Sequence, residues 1–305
     1  MKSGLKVKNL FSTVLLALVF SVPPSVAASK PVVLASIKPV AMLVKAVVGD
    51  ELSVDVLLAE NASPHDHALK FSDIRAIKSA DLVVWVGPEL EGVLVKPLST
   101  VPTDEQLQLT DLTTLHWPDD VEGEHDDHEH GHGAYTRDPH IWLNPKNSSS
   151  VVMAIAEILK EKYPEKGHLF EKNASEFIHN INELNSLIQN RIDLVNGHGF
   201  VVTHDGYGHF VDYFGLNQLA TIKLAGGGVL GARHYGEIIA MGDRVTCVFG
   251  ERQLNNKSSI KLASQLGANW AELDLMGSGI TLTKESYLQF FSGFTDTFLA
   301  CLEKK

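Results

Sequence analysis

Residues 170–195, FEKNASEFIHNINELNSLIQNRIDLV, carry the most regular hydrophobic spacing in the chain. Phe170, Ala174, Phe177, Ile181, Leu184, Ile188, Ile192 and Val195 recur three or four apart, with Glu171, Lys172, Glu176, Asn180, Glu183 and Gln189 between them. That period lines the apolar side chains along one stripe of an amphipathic helix about 30 residues long. A coiled-coil dimer arm would show a similar stripe. Here strand and helix patterns alternate on both sides, so the expected arrangement is a single stiff connector packed along two lobes. This linker helix is placed within 164–196, ending at Gly197 and Gly199.

Before the linker, 32–37 reads as a buried strand, 39–48 as a helix, 52–58 as a second strand and 60–66 as a polar turn. Ser72 is the expected N-cap of a helix running to 79. LVVWV, residues 82–86, is a continuous apolar run, as a parallel strand covered on both faces requires. A helix at 91–98 and a short strand near 107–109 complete a first lobe. Asn144 caps and Pro145 opens a helix through about residue 162, where the missing proline N–H costs nothing. After the linker, strands are expected at 200–203, 247–249 and 271–275, and helices at 207–214, 233–241, 257–266 and 283–302. The fold class is therefore α/β: two βα lobes with mostly parallel sheets, 29–163 and 197–305, bridged by one long helix. Gly226-Gly227-Gly228 reads as a loop and not as a phosphate cradle, since it does not follow a strand and open a helix at the required spacing.

Residues 1–28 have the form of a secretory signal peptide. Lys2, Lys6 and Lys8 precede an apolar run at 10–20 and the small residues SVAA at 25–28. The run is shorter than the roughly 20 residues that span a bilayer, and no cysteine stands near the junction to take a lipid. Cleavage is expected after Ala28, leaving a protein outside the cytoplasm. The rest is long enough for two domains of about 100 to 200 residues each. A formal charge of −11, more negative once a basic leader is removed, argues against a nucleic-acid partner. Two cysteines are present, Cys247 and Cys301. In an oxidising compartment the pair most simply forms a disulfide, which would stabilise the fold by roughly 4 kcal/mol in the chain-entropy model; two separate buried thiols are the alternative.

Periodicity disappears within 112–137, and 116–137 is expected to be a long exposed loop inside the first lobe. It contains EGEHDDHEHGH at 122–132, where His125, His128, His130 and His132 alternate with carboxylates and no apolar side chain is available for burial. Flexible imidazoles can share an ion there, forming an accessory metal tract. The plainer reading is a solvated acidic loop. DPHIWLNP, 138–145, follows at once and fixes His140 beside Pro139. His65 lies in SPHDH after the strand ending near 58, and His204 lies in THDGY directly after Val201-Val202. All three stand past strand ends or at the lobe junction, where α/β sheets present ligands. A lone loop histidine is more often a solvated side chain. Together they are harder to dismiss, because Pro64, Pro139 and Gly206 shape the backbone and limit the entropy lost on closing round an ion.

ASPHDHAL and DIRAIKSADLVVWVGPELE within 62–91, DPHIWLNP at 138–145 and FVVTHDGYGHFVDYFGL at 200–216 resemble the zinc-uptake solute-binding proteins of bacterial ABC importers, the ZnuA type. The likeness covers essentially the whole chain after the leader, including a histidine-rich loop in the same place and a cysteine pair near the C-terminus. It implies a periplasmic carrier, not an enzyme, that holds Zn²⁺ in an interlobe cleft through His65, His140 and His204. Its implied partners are an inner-membrane ABC permease and, through it, an ATPase, with a periplasmic metal chaperone as a further candidate. The protein is expected to be a monomer. In manganese-binding relatives the third position is usually a glutamate, so His204 favours zinc, in keeping with the preference of imidazole for zinc and of oxygen-rich sites for manganese.

Some zinc-binding relatives carry a glutamate just before the first histidine, a place held here by Pro64. The resemblance then points to Asp274 as the fourth ligand, acting directly, through water or by charge alone, with an N-cap or loop salt bridge as its plain alternative. His67 stands where the family commonly has an aromatic, as a spare ligand or a hydrogen-bond donor behind one. Gly250-Glu251-Arg252-Gln253 departs from the family's usual Glu-Pro-Gln. The rival class is a secreted zinc hydrolase with three protein ligands and an open position. No H-E-x-x-H occurs, and His65-Asp66-His67 is followed by Leu69 and Lys70, not by the Asp-His of a binuclear hydrolase. A metal-buffering or adhesive surface protein would account for the histidine tract but not for the ordered triad.

Overall fold

The computed structural model describes Met1 and residues 30–60, 63–118, 137–223 and 231–303. Residues 2–28 of the leader, the tract of His125, His128, His130 and His132, and the Gly226-Gly227-Gly228 loop lie outside the described residues.

Two parallel four-stranded sheets face the two halves of the chain. The first holds β1 (Val32–Ala35), β2 (Ser53–Val56), β3 (Leu82–Trp85) and β4 (Gln106–Gln108) in the order β2-β1-β3-β4. The second holds β5 (Gly199–His204), β6 (Asn217–Lys223), β7 (Val245–Glu251) and β8 (Asn269–Leu273) in the order β6-β5-β7-β8. The two orders are the same, so the lobes repeat one topology with the crossover to each side of the first strand. All four residues of β3 are buried, as its unbroken apolar sequence demands.

The helices of the first half are α1 (Lys38–Val48), α2 (Phe71–Ser79), α3 (Val95–Leu98) and α4 (Pro145–Lys162). The linker α5 (Gly167–Val195) follows, and then α6 (Gly208–Phe214), α7 (Ala232–Ala240), α8 (Lys257–Leu266) and α9 (Ser286–Glu303). Asn144 caps α4 as its sequence requires, its side chain accepting from Lys146 N at 2.9 Å and Asn147 N at 3.4 Å. At 1.5 Å per residue α5 is about 44 Å long, and it packs against α1, α4 and α9. Phe170, Phe177, Ile181, Ile188 and Ile192 form its buried stripe.

One hydrophobic core runs through both lobes, joining Val40, Leu43 and Trp142 on one side to Phe210, Phe249 and Phe291 on the other through Phe177 and Ile181 of α5. Such a shared, close-packed core makes the junction stiff. Smaller clusters fill the outer faces of the two sheets. Cys247 of β7 and Cys301 of α9 are joined by a disulfide, with Cα atoms 5.9 Å apart. No helix among the described residues is long and apolar enough to cross a membrane.

Three local expectations are corrected. α2 begins at Phe71, and its start is closed by Asp73, whose Oδ2 accepts from Lys70 N at 2.8 Å; Ser72 is inside the helix. The stretch 91–98 divides into a 3₁₀ turn, Gly92–Leu94, and the short α3. β6 is an additional edge strand whose sequence, NQLATIK, is too polar to announce itself.

Candidate metal centre

Each of the three histidines is carried by a different piece of backbone. His65 sits on a 3₁₀ turn, Pro64–Asp66, in the connection after β2. His140 precedes the 3₁₀ turn Ile141–Leu143 that leads into α4. His204 is the last residue of β5. Their ring centroids are 5.4 Å (His65–His140), 5.6 Å (His65–His204) and 4.9 Å (His140–His204) apart. One nitrogen from each lies within 4.8 Å of the others, and no other group of three potential side-chain ligands is found among the described residues. Tetrahedral zinc with bonds of about 2.0 to 2.1 Å needs ligand nitrogens roughly 3.3 to 3.4 Å apart. Small side-chain rotations inward would bring the triad to that spacing.

Two carboxylates fix which nitrogens face the centre. His140 Nδ1 donates to Asp138 Oδ1 at 2.6 Å, and the backbone N–H of His140 reaches the same oxygen at 2.9 Å. His204 Nδ1 donates to Glu251 Oε2 at 2.9 Å. Both bonds leave Nε2 as the lone-pair nitrogen, the arrangement in which carboxylates orient metal-binding imidazoles. Nε2 of His65 and Nε2 of His204 are buried without a protein partner. A buried polar atom left unpaired costs about 1–3 kcal/mol, a cost that a bound cation would remove.

The electrostatics differ from ring to ring. Burial, reinforced by the nearby His140 and His204, pulls His65 down from 6.5 to about 3, so its lone pair stays free of protons across the physiological range. Burial also pulls on His204, but the hydrogen bond and charge of Glu251 outweigh it, and the His204 value is raised. Burial would raise Asp138; the charge and hydrogen bond of His140 overcome that and hold its carboxyl well below the usual range.

Packing closes the site tightly. A Cβ on Gly206 would fall 2.4 Å from His204 Cε1 and 2.8 Å from His140 Cε1, so only glycine lets this backbone pass beside both rings. The Trp142 ring lies 5.1 Å from His140, and its indole N–H donates to Leu275 O in the second lobe at 3.0 Å. The described ends of the histidine-rich segment meet at the rim. Arg137 covers the Trp117 ring at 5.0 Å, Trp117 lies 5.5 Å from the ring of His209, and His209 Nε2 donates to Asp138 O at 2.9 Å.

The structure thus brings His65, His140 and His204 together and leaves Asp274 and His67 outside the group. Asp274 Oδ1 accepts from Met276 N at 3.0 Å and Gln253 Nε2 at 3.1 Å, and Oδ2 accepts from Ser278 N at 2.6 Å. Its oxygens build a turn. His67 Nε2 is 3.5 Å from Asp73 Oδ2. Sequence reasoning assigned no role to Asp138 or Glu251. The first could have been found from its place two residues before His140. The second follows from strand register: Val202 pairs with Phe249, so two residues further along both strands His204 lies beside Glu251.

Residues 33–301 match the family ZnuA, described as zinc-uptake complex component A periplasmic. The high-affinity zinc uptake system protein ZnuA of Yersinia pestis is 33% identical over 291 residues, covering 89% of this chain and 91% of its own. Its namesake in Haemophilus influenzae is 31% identical over 317 residues, covering 89% of this chain and 93% of its own. Among solved structures, a zinc-bound ZnuA deletion mutant superimposes with a TM-score of 0.75 at 23% identity, over 91% of this chain and all (100%) of that one. The periplasmic zinc-binding protein TroA of Treponema pallidum gives 0.76 at 20% identity, over 90% of this chain and 100% of its own. These two likenesses establish the fold.

Proposed function

We propose, on the footing that this chain belongs to the ZnuA family of periplasmic zinc-uptake components, that it captures Zn²⁺ with His65, His140 and His204 and later surrenders the ion intact. The convergence of three imidazole nitrogens within 4.8 Å, two of the rings having a buried and unpartnered Nε2, carries this reading. An all-nitrogen set favours zinc over manganese. The fourth position falls to water, with Asp274, which lies outside the triad's ligand group and braces its own turn, acting through charge.

Family membership makes the chain the zinc-binding component of an uptake system that works with an ABC permease and its ATPase. We further read it as a monomer that is exported with cleavage after Ala28, receives metal from solution or from a periplasmic chaperone, and uses His125, His128, His130 and His132 as a weaker accessory site. Catalysis is not favoured. A zinc hydrolase needs a general base, and the two carboxylates in contact with the triad, Asp138 and Glu251, each hold an imidazole N–H with one oxygen.

Calorimetric titration with Zn²⁺ in the presence of a competing chelator tests the proposal. One tight site should survive deletion of 122–133 and vanish in His140→Ala, while His168→Ala should titrate like the unaltered protein. Equal losses in His140→Ala and His168→Ala would overturn the assignment.

A further inference from the structure

His140 and His204 are each steered by a carboxylate, whereas among the described residues no carboxylate hydrogen-bonds to His65. His65 is held instead by its 3₁₀ turn, Pro64–Asp66, and by packing against the His140 and His204 rings. Glu60 stands five residues before His65 in the sequence and makes several polar contacts with the second lobe.

Lys38, at the start of α1, is only 3% exposed and donates to Glu60 Oε1 at 2.5 Å. The other oxygen, Oε2, accepts from Gly279 N of the second lobe at 2.9 Å. The Glu60 carbonyl accepts from Gln253 Nε2 at 3.3 Å and from Ser278 Oγ at 3.4 Å. Gln253 Nε2 also donates to Asp274 Oδ1, and Asp274 accepts the N–H groups of Met276 and Ser278. The receiving turn is thus built by Asp274, and one carboxylate satisfies a buried ammonium of the first lobe and a backbone donor of the second.

We infer that Glu60 is a positioning residue for the ion: it latches the His65-bearing segment to the 274–279 turn, and the latch sets how fast bound zinc is released. The inference rests on the three-histidine reading above. Capture begins with the open encounter of a small ion and depends little on the latch. Release must undo contacts that exist only in the assembled site, and differences of this kind fall mainly on the dissociation rate.

Two variants of the full mature chain test it from opposite sides. Glu60→Gln keeps the shape of the side chain but offers a single acceptor oxygen and turns an amide donor toward Lys38 or Gly279. Gln253→Glu leaves the Lys38–Glu60 pair intact and sets a carboxylate against Asp274, so it carries the test if Glu60→Gln does not fold. Stopped-flow transfer of Zn²⁺ to excess chelator should be faster by about tenfold or more in each, the loss expected for one charge-assisted hydrogen bond. The capture rate should hold, and in Glu60→Gln the melting temperature of the metal-free protein should also fall, because the buried Lys38 ammonium loses its counter-charge. A purely structural role would leave the release rate unchanged in both variants.

Release within twofold of the unaltered protein in both variants overturns the latch. If the unaltered protein loads zinc and His140→Ala abolishes loading, that result falls on the latch alone. If the unaltered protein takes up no zinc, the three-histidine reading fails and the latch fails with it.

Discussion

His140 Nδ1 donates to Asp138 Oδ1 at 2.6 Å across the single residue Pro139. The proline restrains the backbone between them, so carboxylate and imidazole are held as a unit and Nε2 is left to face His65 and His204. Asp138→Asn should weaken zinc binding about 10- to 100-fold, the usual cost of losing a carboxylate behind a metal-binding imidazole. Competition against a chelator of known affinity measures it. Unchanged affinity would show that Pro139 and Trp142 suffice to aim the ring.

His204 and Glu251 make the site sensitive to pH in a defined direction. In the metal-free protein Glu251 raises the His204 value above the ordinary 6.5. Zinc must then displace a proton, and affinity should decline as pH falls through that raised value, beginning above 6.5. His65, held at about 3, adds no proton competition in that window. In Glu251→Gln the burial that lowers His204 is opposed only by the weaker charges of Asp138 and Asp205, so the decline should begin at lower pH while the affinity at high pH is reduced. Titrations between pH 5 and 8 check both effects, and an unshifted pH profile would separate His204 from Glu251.

Gly206→Ala should impair binding without unfolding the protein. The added Cβ would stand 2.4 Å from His204 Cε1 and 2.8 Å from His140 Cε1, forcing both rings outward. The expected result is a loss of zinc affinity of at least about tenfold, as a displacement of one ring by an ångström breaks the ligand geometry. Circular dichroism should report an unchanged fold. Affinity equal to that of the unaltered protein would mean the rings can yield at no cost.

Cys247 and Cys301 are joined across a sequence separation of 54. In the chain-entropy model a closed loop of that size stabilises the fold by roughly 4 kcal/mol. Reduction should lower the melting temperature by several degrees. Zinc affinity at 25 °C should hold, since Glu251 lies four residues along β7 from Cys247, about 13 Å at the usual strand rise. Scanning calorimetry and chelator competition on the reduced protein measure the two quantities separately.

Much of the architecture could be read directly because burial writes strong periods. LVVW in β3 is covered on both faces and shows no alternation, and the stripe from Phe170 to Val195 follows the helical repeat over many turns. β6 escaped notice because an edge strand buries only part of its surface, and in NQLATIK only Ile222 is fully buried. The three histidines were legible from their neighbours, a proline or glycine in each case and a strand end for His204. Glu251 was not, because it meets His204 only when β5 and β7 pair in a particular register. Asp274 shows the same limit from the other side. Its residue type suits a metal, but nothing in the sequence shows that its oxygens accept from the backbone of Met276 and Ser278.

The most direct test is an anomalous difference map, recorded at the zinc edge, from crystals of the mature protein grown with one equivalent of Zn²⁺. A single strong peak is expected about 2.0 to 2.1 Å from the Nε2 atoms of His65, His140 and His204, with water or a weak oxygen contact completing a tetrahedron. A principal peak bound elsewhere, or one that omits any of these three rings, would contradict the assignment.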